Sequence, residues 1–329
     1  MQNRLKALND WLKTVMGDMP YTIEPLAGDA SFRRYFRLHS NGLTRVIMDA
    51  PPNKETIAPF VHLTKILNDN NIYSPLIYAI DSSQGFILLE DFGDELLLNT
   101  LEPHNADKLY TLAIETLHQI QKIPVNPLEL PAFDKTFMLN ELELFHNWFL
   151  NAYLSYELTT DEEQLLKESF DWLTNEISKE PLVFIHRDYH SRNLMLVNNR
   201  LGVIDFQDAM VGPRTYDLVS LLKDCYIQWP PEKISQWLAD FHNRLDAENR
   251  GSLSEFQRAF NLCGLQRHLK VLGVFCRLHL RDNKPGYLKD LPLTFNYALS
   301  CTESHVELHP FYHFLDRKIR PLFLEKTLS

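Results

Sequence analysis

The sequence predicts an α+β fold in two lobes. A small lobe with an antiparallel sheet spans residues 1–92, and a larger, mainly helical lobe spans 93–329. Three observations carry this reading. Up to residue 90 the chain alternates short apolar runs with turn signals. Beyond residue 95, apolar residues recur at helical spacing in six segments. Within that helical part stand three short strand-like runs around Asp188, Asn193 and Asp205.

Residues 3–16 place Leu5, Leu8, Trp11, Leu12 and Val15 at helical spacing. Strand-like runs follow at 21–27, 32–39 and 43–49. Asn41-Gly42 separates the last two, and both residue types accept the positive φ that a two-residue hairpin demands. A helix is expected at 54–69, with Ile57, Phe60, Val61, Ile66 and Leu67 on one side, then apolar runs at 76–80 and 85–90. Glu90-Asp91-Phe92-Gly93 reads as a turn after a strand, where the two lobes would join. The later helices are expected at 105–121, 136–155, 161–178, 215–226, 233–246 and 253–280.

Composition narrows the classes. The 329 residues suffice for two lobes with a sizeable core, and 45% apolar with 23% charged residues is ordinary for a globular chain. A net charge of −10 argues against a nucleic-acid partner, because phosphate binding favours a basic surface. No apolar run reaches membrane-spanning length, and the start, Met1-Gln2-Asn3-Arg4-Leu5-Lys6, leads into an amphipathic pattern rather than a signal core. A cytoplasmic monomer is the expectation. Cys225, Cys263, Cys276 and Cys301 lack Cys-x-x-Cys spacing and read as reduced core residues.

The chemistry concentrates in residues 184–206, FIHRDYHSRNLMLVNNRLGVIDF. His186-Arg187-Asp188 is followed five positions later by Asn193, and a short hairpin leads to Ile204-Asp205-Phe206. Leu194–Val197 and Leu201–Ile204 are apolar runs around Asn198-Asn199. A turn centred there sets Asn193 opposite Ile204, one step from Asp205. Leu182–Ile185 is a further apolar run that delivers His186 and Asp188. An aspartate base with an asparagine and a second aspartate is the set a kinase catalytic loop uses. Asp188 can deprotonate an attacking hydroxyl, and Asn193 and Asp205 supply oxygens for Mg²⁺, a hard cation that keeps several waters. Any one of these residues alone could simply end a strand; all three in this order read as a site.

The pattern resembles the aminoglycoside phosphotransferase and choline kinase-like families, small-molecule relatives of protein kinases. Those families usually carry glycine where this chain has Arg187. Four other segments resemble the branch of bacterial cell-wall amino-sugar kinases: Gly28–Arg37, Met48-Asp49-Ala50-Pro51-Pro52, Leu89–Gly93 and Gln266–Gly273. The resemblance covers roughly Asp10 to Leu291. It implies a bilobal protein kinase-like fold and ATP-dependent phosphorylation, with Mg²⁺, of the anomeric hydroxyl of N-acetylmuramate or N-acetylglucosamine. It also implies that His186 braces the catalytic loop and that Asp217 supports it from the following helix. It implies further that Glu90-Asp91-Phe92-Gly93 is the hinge, where adenine would pair with backbone groups, with Glu90 marking it, and that Ser31 belongs to the loop that covers the phosphates.

One departure stands out. The strand Thr44–Asp49 lacks the lysine that kinases place there to hold the nucleotide. Arg33 and Arg34 are the natural substitutes; strand alternation points them to opposite faces, so only one is expected to serve. For the acceptor, Arg267, His268 and Lys270 on the helix at 253–280 suggest a cationic face suited to a carboxylate-bearing sugar and unsuited to a polycationic aminoglycoside. Tyr189, Gln207 and Asp208 flank the catalytic residues and could bond sugar hydroxyls. The competing readings are a kinase of another small alcohol or an aminoglycoside, a nucleotide-binding pseudokinase motivated by the missing lysine, and a metal hydrolase using His186, Asp188 and His190.

Overall fold

The computed structural model describes residues 2–26, 33–126, 128–248 and 250–328. Along the chain run α1 (Gln2–Met16), β1 (Thr22–Leu26), β2 (Arg34–Ser40), β3 (Leu43–Asp49), α2 (Ala58–Asp69), β4 (Ile77–Asp81), β5 (Phe86–Glu90) and α3 (Leu97–Thr100). Then come α4 (Ala106–Gln121), α5 (Lys135–Leu144), α6 (Thr160–Ile177) and β6 (Leu182–Ile185). After them follow β7 (Leu194–Val197), β8 (Arg200–Val203), β9 (Met210–Pro213), α7 (Tyr216–Leu222), α8 (Pro231–Arg244) and α9 (Leu253–Leu280). The chain closes with α10 (Leu291–Ser304), α11 (His309–Phe314) and α12 (Arg320–Leu328). It divides into two compact units, Met1–Thr100 with Arg192–Asp208, and Leu101–Ser191 with Ala209–Ser329.

The first unit is built on an antiparallel sheet in the order β1-β2-β3-β5-β4. Its β2–β3 hairpin turns on Asn41 (φ 48°) and Gly42 (φ 76°), the left-handed pair such a turn needs. Helix α1 buries Leu8, Trp11 and Leu12 against Phe36, Leu38, Ile47, Phe86 and Leu88 of the sheet. Each fully buried side chain of this size contributes about 1.5–3 kcal/mol. Helix α2 starts at Ala58, four residues later than expected, and has a proline in its first turn, where a missing N–H costs nothing.

The β7–β8 hairpin belongs to this unit. Leu196 N–H donates to Glu95 O and Val203 N–H to Tyr73 O (both 2.8 Å). Gly202 permits the close approach of Phe92, whose ring would stand 2.5 Å from a Cβ at that position. The sequence division at residue 92 thus differs from the division by packing at residues 93–100 and at this hairpin.

In the second unit the 28-residue helix α9 is central and largely buried. Ser252 and Glu255 close a capping box at its start, satisfying donors the first turn leaves open. Helix α5 continues as a π-helical stretch, Phe145–Tyr153, where a plain helix was expected. Helix α7 ends at Leu222 rather than 226, since Lys223 leaves helical geometry (φ −115°, ψ 48°). Strand β6 pairs with β9 and not with the hairpin. All four cysteines are buried and free. Among the described residues no helix is long and apolar enough to cross a membrane.

Candidate active site

The hairpin carries the first group of candidate residues. Its register pairs Leu194 with Val203 and Val197 with Arg200, and Asn198 (φ 50°) and Asn199 (φ 60°) make the turn. Ile204 N–H donates to Asn193 O at 3.1 Å, so Asn193 and Asp205 leave the open end side by side. Asp205 itself takes φ 63°, a left-handed conformation that L-residues with short polar side chains tolerate best. Asn193 Nδ2 lies 3.4 Å from Asp205 Oδ2. Gln207 Nε2 donates to Asp205 Oδ1 at 2.9 Å and reaches Asp208 at 3.3 Å. Gln207 therefore orients the exposed Asp205 carboxylate. An amide and a carboxylate at one corner form a hard, oxygen-bearing donor set of the kind Mg²⁺ takes.

Two arginines precede this group in the same unit. Arg34 is committed: its guanidinium pairs with the fully buried Asp49, which also receives Arg4 Nη2 at 2.7 Å. Asp49 thus holds two cations at the end of the strand that lacks a lysine. Arg33 is buried and pairs with Glu55. It is also a charged neighbour of the Tyr35 hydroxyl, which burial pushes up to about 12 against Arg33, with Asp205 adding to the rise. Of the two arginines, Arg33 is the one that shares a neighbour with Asp205. Ser31 lies outside the described residues. Glu90 serves the sheet: its carboxylate accepts from Tyr73 Oη (2.8 Å) and Leu76 N–H (3.2 Å), and its own N–H donates to Leu76 O (2.8 Å).

The second group lies in the other unit, on the loop after β6. Asp217, fully buried at the start of α7, accepts His186 N–H at 2.6 Å and Arg187 N–H at 2.9 Å. Burial pushes its carboxyl up to about 6, opposed by His186 and by those two amides. Arg187 turns the loop at φ 76°, which explains why a glycine would serve there. His186 is buried edge-on to Tyr189 at 5.9 Å.

Arg187 also sends its side chain to Glu141 of α5 (2.7 Å), beneath the Phe137 ring. Glu141 further takes Gln266 Nε2 (3.1 Å) and, loosely, Lys270 Nζ (3.6 Å). Arg267 Nη2 stands 3.9 Å from Asp188. Burial would raise the Asp188 carboxyl, but Lys270, His190, Arg267 and Arg187 together hold it well below the usual carboxylate range. Asp188 is therefore an ionised acceptor ringed by cations, with its side chain still 40% exposed.

Three expectations for the acceptor site need correction. Tyr189 is fully buried and its hydroxyl donates to Ala113 O at 2.9 Å, so it anchors the loop in the core and offers nothing to a sugar. His268 is buried, bonded to Lys223 O at 3.0 Å and stacked on Tyr297 at 4.9 Å. Burial drives its imidazole down to about 3, against that carbonyl bond, so it stays neutral. Arg267 and Lys270 form neither a solvated face nor an open cationic one; both are buried beside Asp188 and Glu141. Among the described residues no three of His, Cys, Asp and Glu come together as a metal cluster, so His186, Asp188 and His190 do not form one.

Sequence reasoning missed Glu141 and Asp224. Glu141 sits in an ordinary amphipathic helix and gave no signal. Asp224, which accepts Ser191 N–H (3.0 Å) and Ser191 Oγ (2.5 Å), did give one. An acid just past the C-terminus of α7 opposes the helix dipole and needs another reason to be there.

A model of the phosphotransferase enzyme family matches residues 22–256. The chain belongs to that family. It is 38% identical over 318 residues to an N-acetylmuramate/N-acetylglucosamine kinase of Pseudomonas aeruginosa, covering 93% of this chain and 94% of that one. It is equally 38% identical over 323 residues to one of Neisseria meningitidis, covering 96% of each. Its fold is similar to aminoglycoside phosphotransferase APH(2'')-Ib, with a TM-score of 0.60 at 16% identity over 89% of this chain and 96% of that one. The chain is thus an enzyme of phosphoryl transfer with the kinase-like fold of these neighbours.

Proposed function

We propose that this enzyme transfers the γ-phosphoryl group of ATP to the anomeric hydroxyl of N-acetylmuramate or N-acetylglucosamine. The observation that carries the reading is the ring of cations around Asp188, taken with two relatives of that name across nearly the whole chain. The buried cations beside Asp188 touch no acceptor in this reading, but their field would oppose a polycationic aminoglycoside more than an uncharged or carboxylate-bearing sugar. The fold neighbour was solved with ADP bound, which supports a nucleotide donor.

Asp188 orients the acceptor hydroxyl and takes its proton as the oxygen bonds to phosphorus and the bond to the ADP oxygen breaks. Held ionised by its neighbours, it is a weak base in the ground state. It accepts the proton late, once the attacking oxygen has lost most of its basicity, which fits the loose transition state of phosphoryl transfer. Asn193 and Asp205 would hold Mg²⁺, which neutralises charge on the bridging phosphate oxygens when bound. Arg33 would supply the cation the missing lysine leaves wanting, while Arg34 remains with Asp49.

The test is a coupled ADP-release assay with N-acetylmuramate, N-acetylglucosamine and an aminoglycoside, followed by phosphorus NMR of the product. Turnover of the two acetylated sugars, with an anomeric phosphate, is the expected result. Preference for the aminoglycoside, or a phosphate at any other hydroxyl, overturns the reading.

A further inference from the structure

A row of aromatic rings leads away from the catalytic loop in the second unit. His190 N–H donates to Asp188 O at 2.9 Å, and the His190 ring meets Tyr226 edge-on at 5.2 Å. Tyr226 lies 6.0 Å from Phe275 of α9 at 36°, and Phe275 lies 5.2 Å from Tyr287 at 30°. Phe275 is buried, whereas Tyr226 and Tyr287 are only half-buried. The row is fixed to the loop. Asp224 takes Ser191 on one oxygen and the Tyr226 N–H on the other, at 3.0 Å. Tyr226 and Tyr287 thus remain partly exposed, on a buried phenylalanine, in the unit that carries Asp188.

We infer that Tyr226 and Tyr287, supported by Phe275, form the platform on which the acceptor's pyranose ring stacks. The inference rests on the sugar-kinase reading and adds to it the residues that recognise the ring. The acceptor hydroxyl must reach Asp188, and a pyranose turns an apolar face of C–H groups to one side. Aromatic faces bind such a surface through dispersion and through attraction of polarised C–H bonds to the negative ring face. Asp224 then acts as a positioning residue that holds the platform and the catalytic loop in one register.

The decisive measurement is sugar affinity in Tyr226 variants, by steady-state kinetics and by calorimetry with N-acetylglucosamine. Tyr226→Ala should raise sugar KM about tenfold, with nucleotide KM unmoved. Tyr226→Phe keeps the face and should restore affinity, whereas Tyr226→Leu keeps the bulk and should not. Tyr287→Ala should act in the same direction, more weakly. Thermal unfolding of each variant separates loss of the fold from loss of the site, and the leucine variant answers the question if the alanine one does not fold. Wild-type turnover of the sugar with an unmoved KM in Tyr226→Ala and Tyr226→Leu overturns the platform alone. A wild-type enzyme that phosphorylates only acyclic alcohols overturns the platform together with the sugar-kinase reading.

Discussion

The hairpin that carries Asn193 and Asp205 and the loop that carries Asp188 are neighbours in sequence but are built in opposite ways. The hairpin is local. Two strands of four residues, a left-handed Asn-Asn turn and one backbone bond from Ile204 to Asn193 put its amide and carboxylate side by side. The loop is almost wholly non-local. Asp217 holds its two amides, Ala113 holds Tyr189, Asp224 holds Ser191, and Glu141 holds the side chain of Arg187. The difference teaches where chemistry is cheap to encode. Oxygen ligands for a metal need only a turn and a register. A carboxylate whose charge state is set by three surrounding cations and a histidine needs a folded unit around it.

The comparison breaks most sharply at Asp205. Asp205→Ala removes the carboxylate of the hairpin group and should abolish transfer and weaken Mg-ATP binding, as read by calorimetry. It should lower the melting temperature only modestly, because the residue is exposed and the cost is confined to the Gln207 bond and to alanine's strain at φ 63°. Unaltered affinity together with an unaltered rate would remove Asp205 from the site.

Asp188→Asn should lower kcat by about 10²–10⁴ while nucleotide affinity survives. A single-turnover assay beside a nucleotide titration separates the two. A variant near wild-type rate shows that the base is elsewhere.

Glu141 tests the claim that the loop depends on distant support. Glu141→Gln leaves Arg187 and Lys270 without their carboxylate in a buried setting, at a cost of about 3 kcal/mol. Arg187→Gly in the same chain removes one stranded cation and relieves the left-handed backbone, so the double variant should recover part of the loss. A purely additive double-mutant cycle in urea unfolding would mean that the pair does not couple.

Arg33 and Arg34 sharpen the comparison inside the first unit. Arg33→Ala should raise the KM for ATP about tenfold, a typical loss for hydrogen bonds to a charged group. Arg34→Ala should leave that KM alone and lower stability instead, since Asp49 then keeps only Arg4. The opposite pattern in steady-state kinetics and thermal melts would reverse the two roles.

The smallest effect concerns His268. Its folded pKa of about 3 lies below the ordinary 6.5, so the unfolded chain binds the extra proton first. Stability from this residue is complete above about pH 6.5 and is lost as pH falls toward 3. His268→Gln retains a donor for Lys223 O without the titration. Between pH 7.5 and 5.8 it should lose about 1 kcal/mol less than wild type in denaturant unfolding. Sugar KM should not change; a large rise would return His268 to the acceptor site.

Much of this molecule is legible in the chain itself. The sheet and its turns follow from period-two patterning and from Asn-Gly and Asn-Asn pairs, because those signals act over a few residues. The helices at 291–328 went unmarked: Pro292 and Pro310 interrupt the apolar pattern, yet each sits in a first turn where proline is tolerated. The order Asp188, Asn193, Asp205 pointed to the reaction class, and spacing across one hairpin fixed that Asn193 and Asp205 meet. The sequence also determined that a strand lysine is missing. Only the tertiary structure decided that Arg34 belongs to Asp49, that Tyr189 and His268 are core residues, and that Glu141 stands behind the catalytic loop. Those outcomes turn on burial and on partners 15 to 125 positions away. A residue type names what a side chain can do, whereas burial and the charges around it decide what is left for it to do.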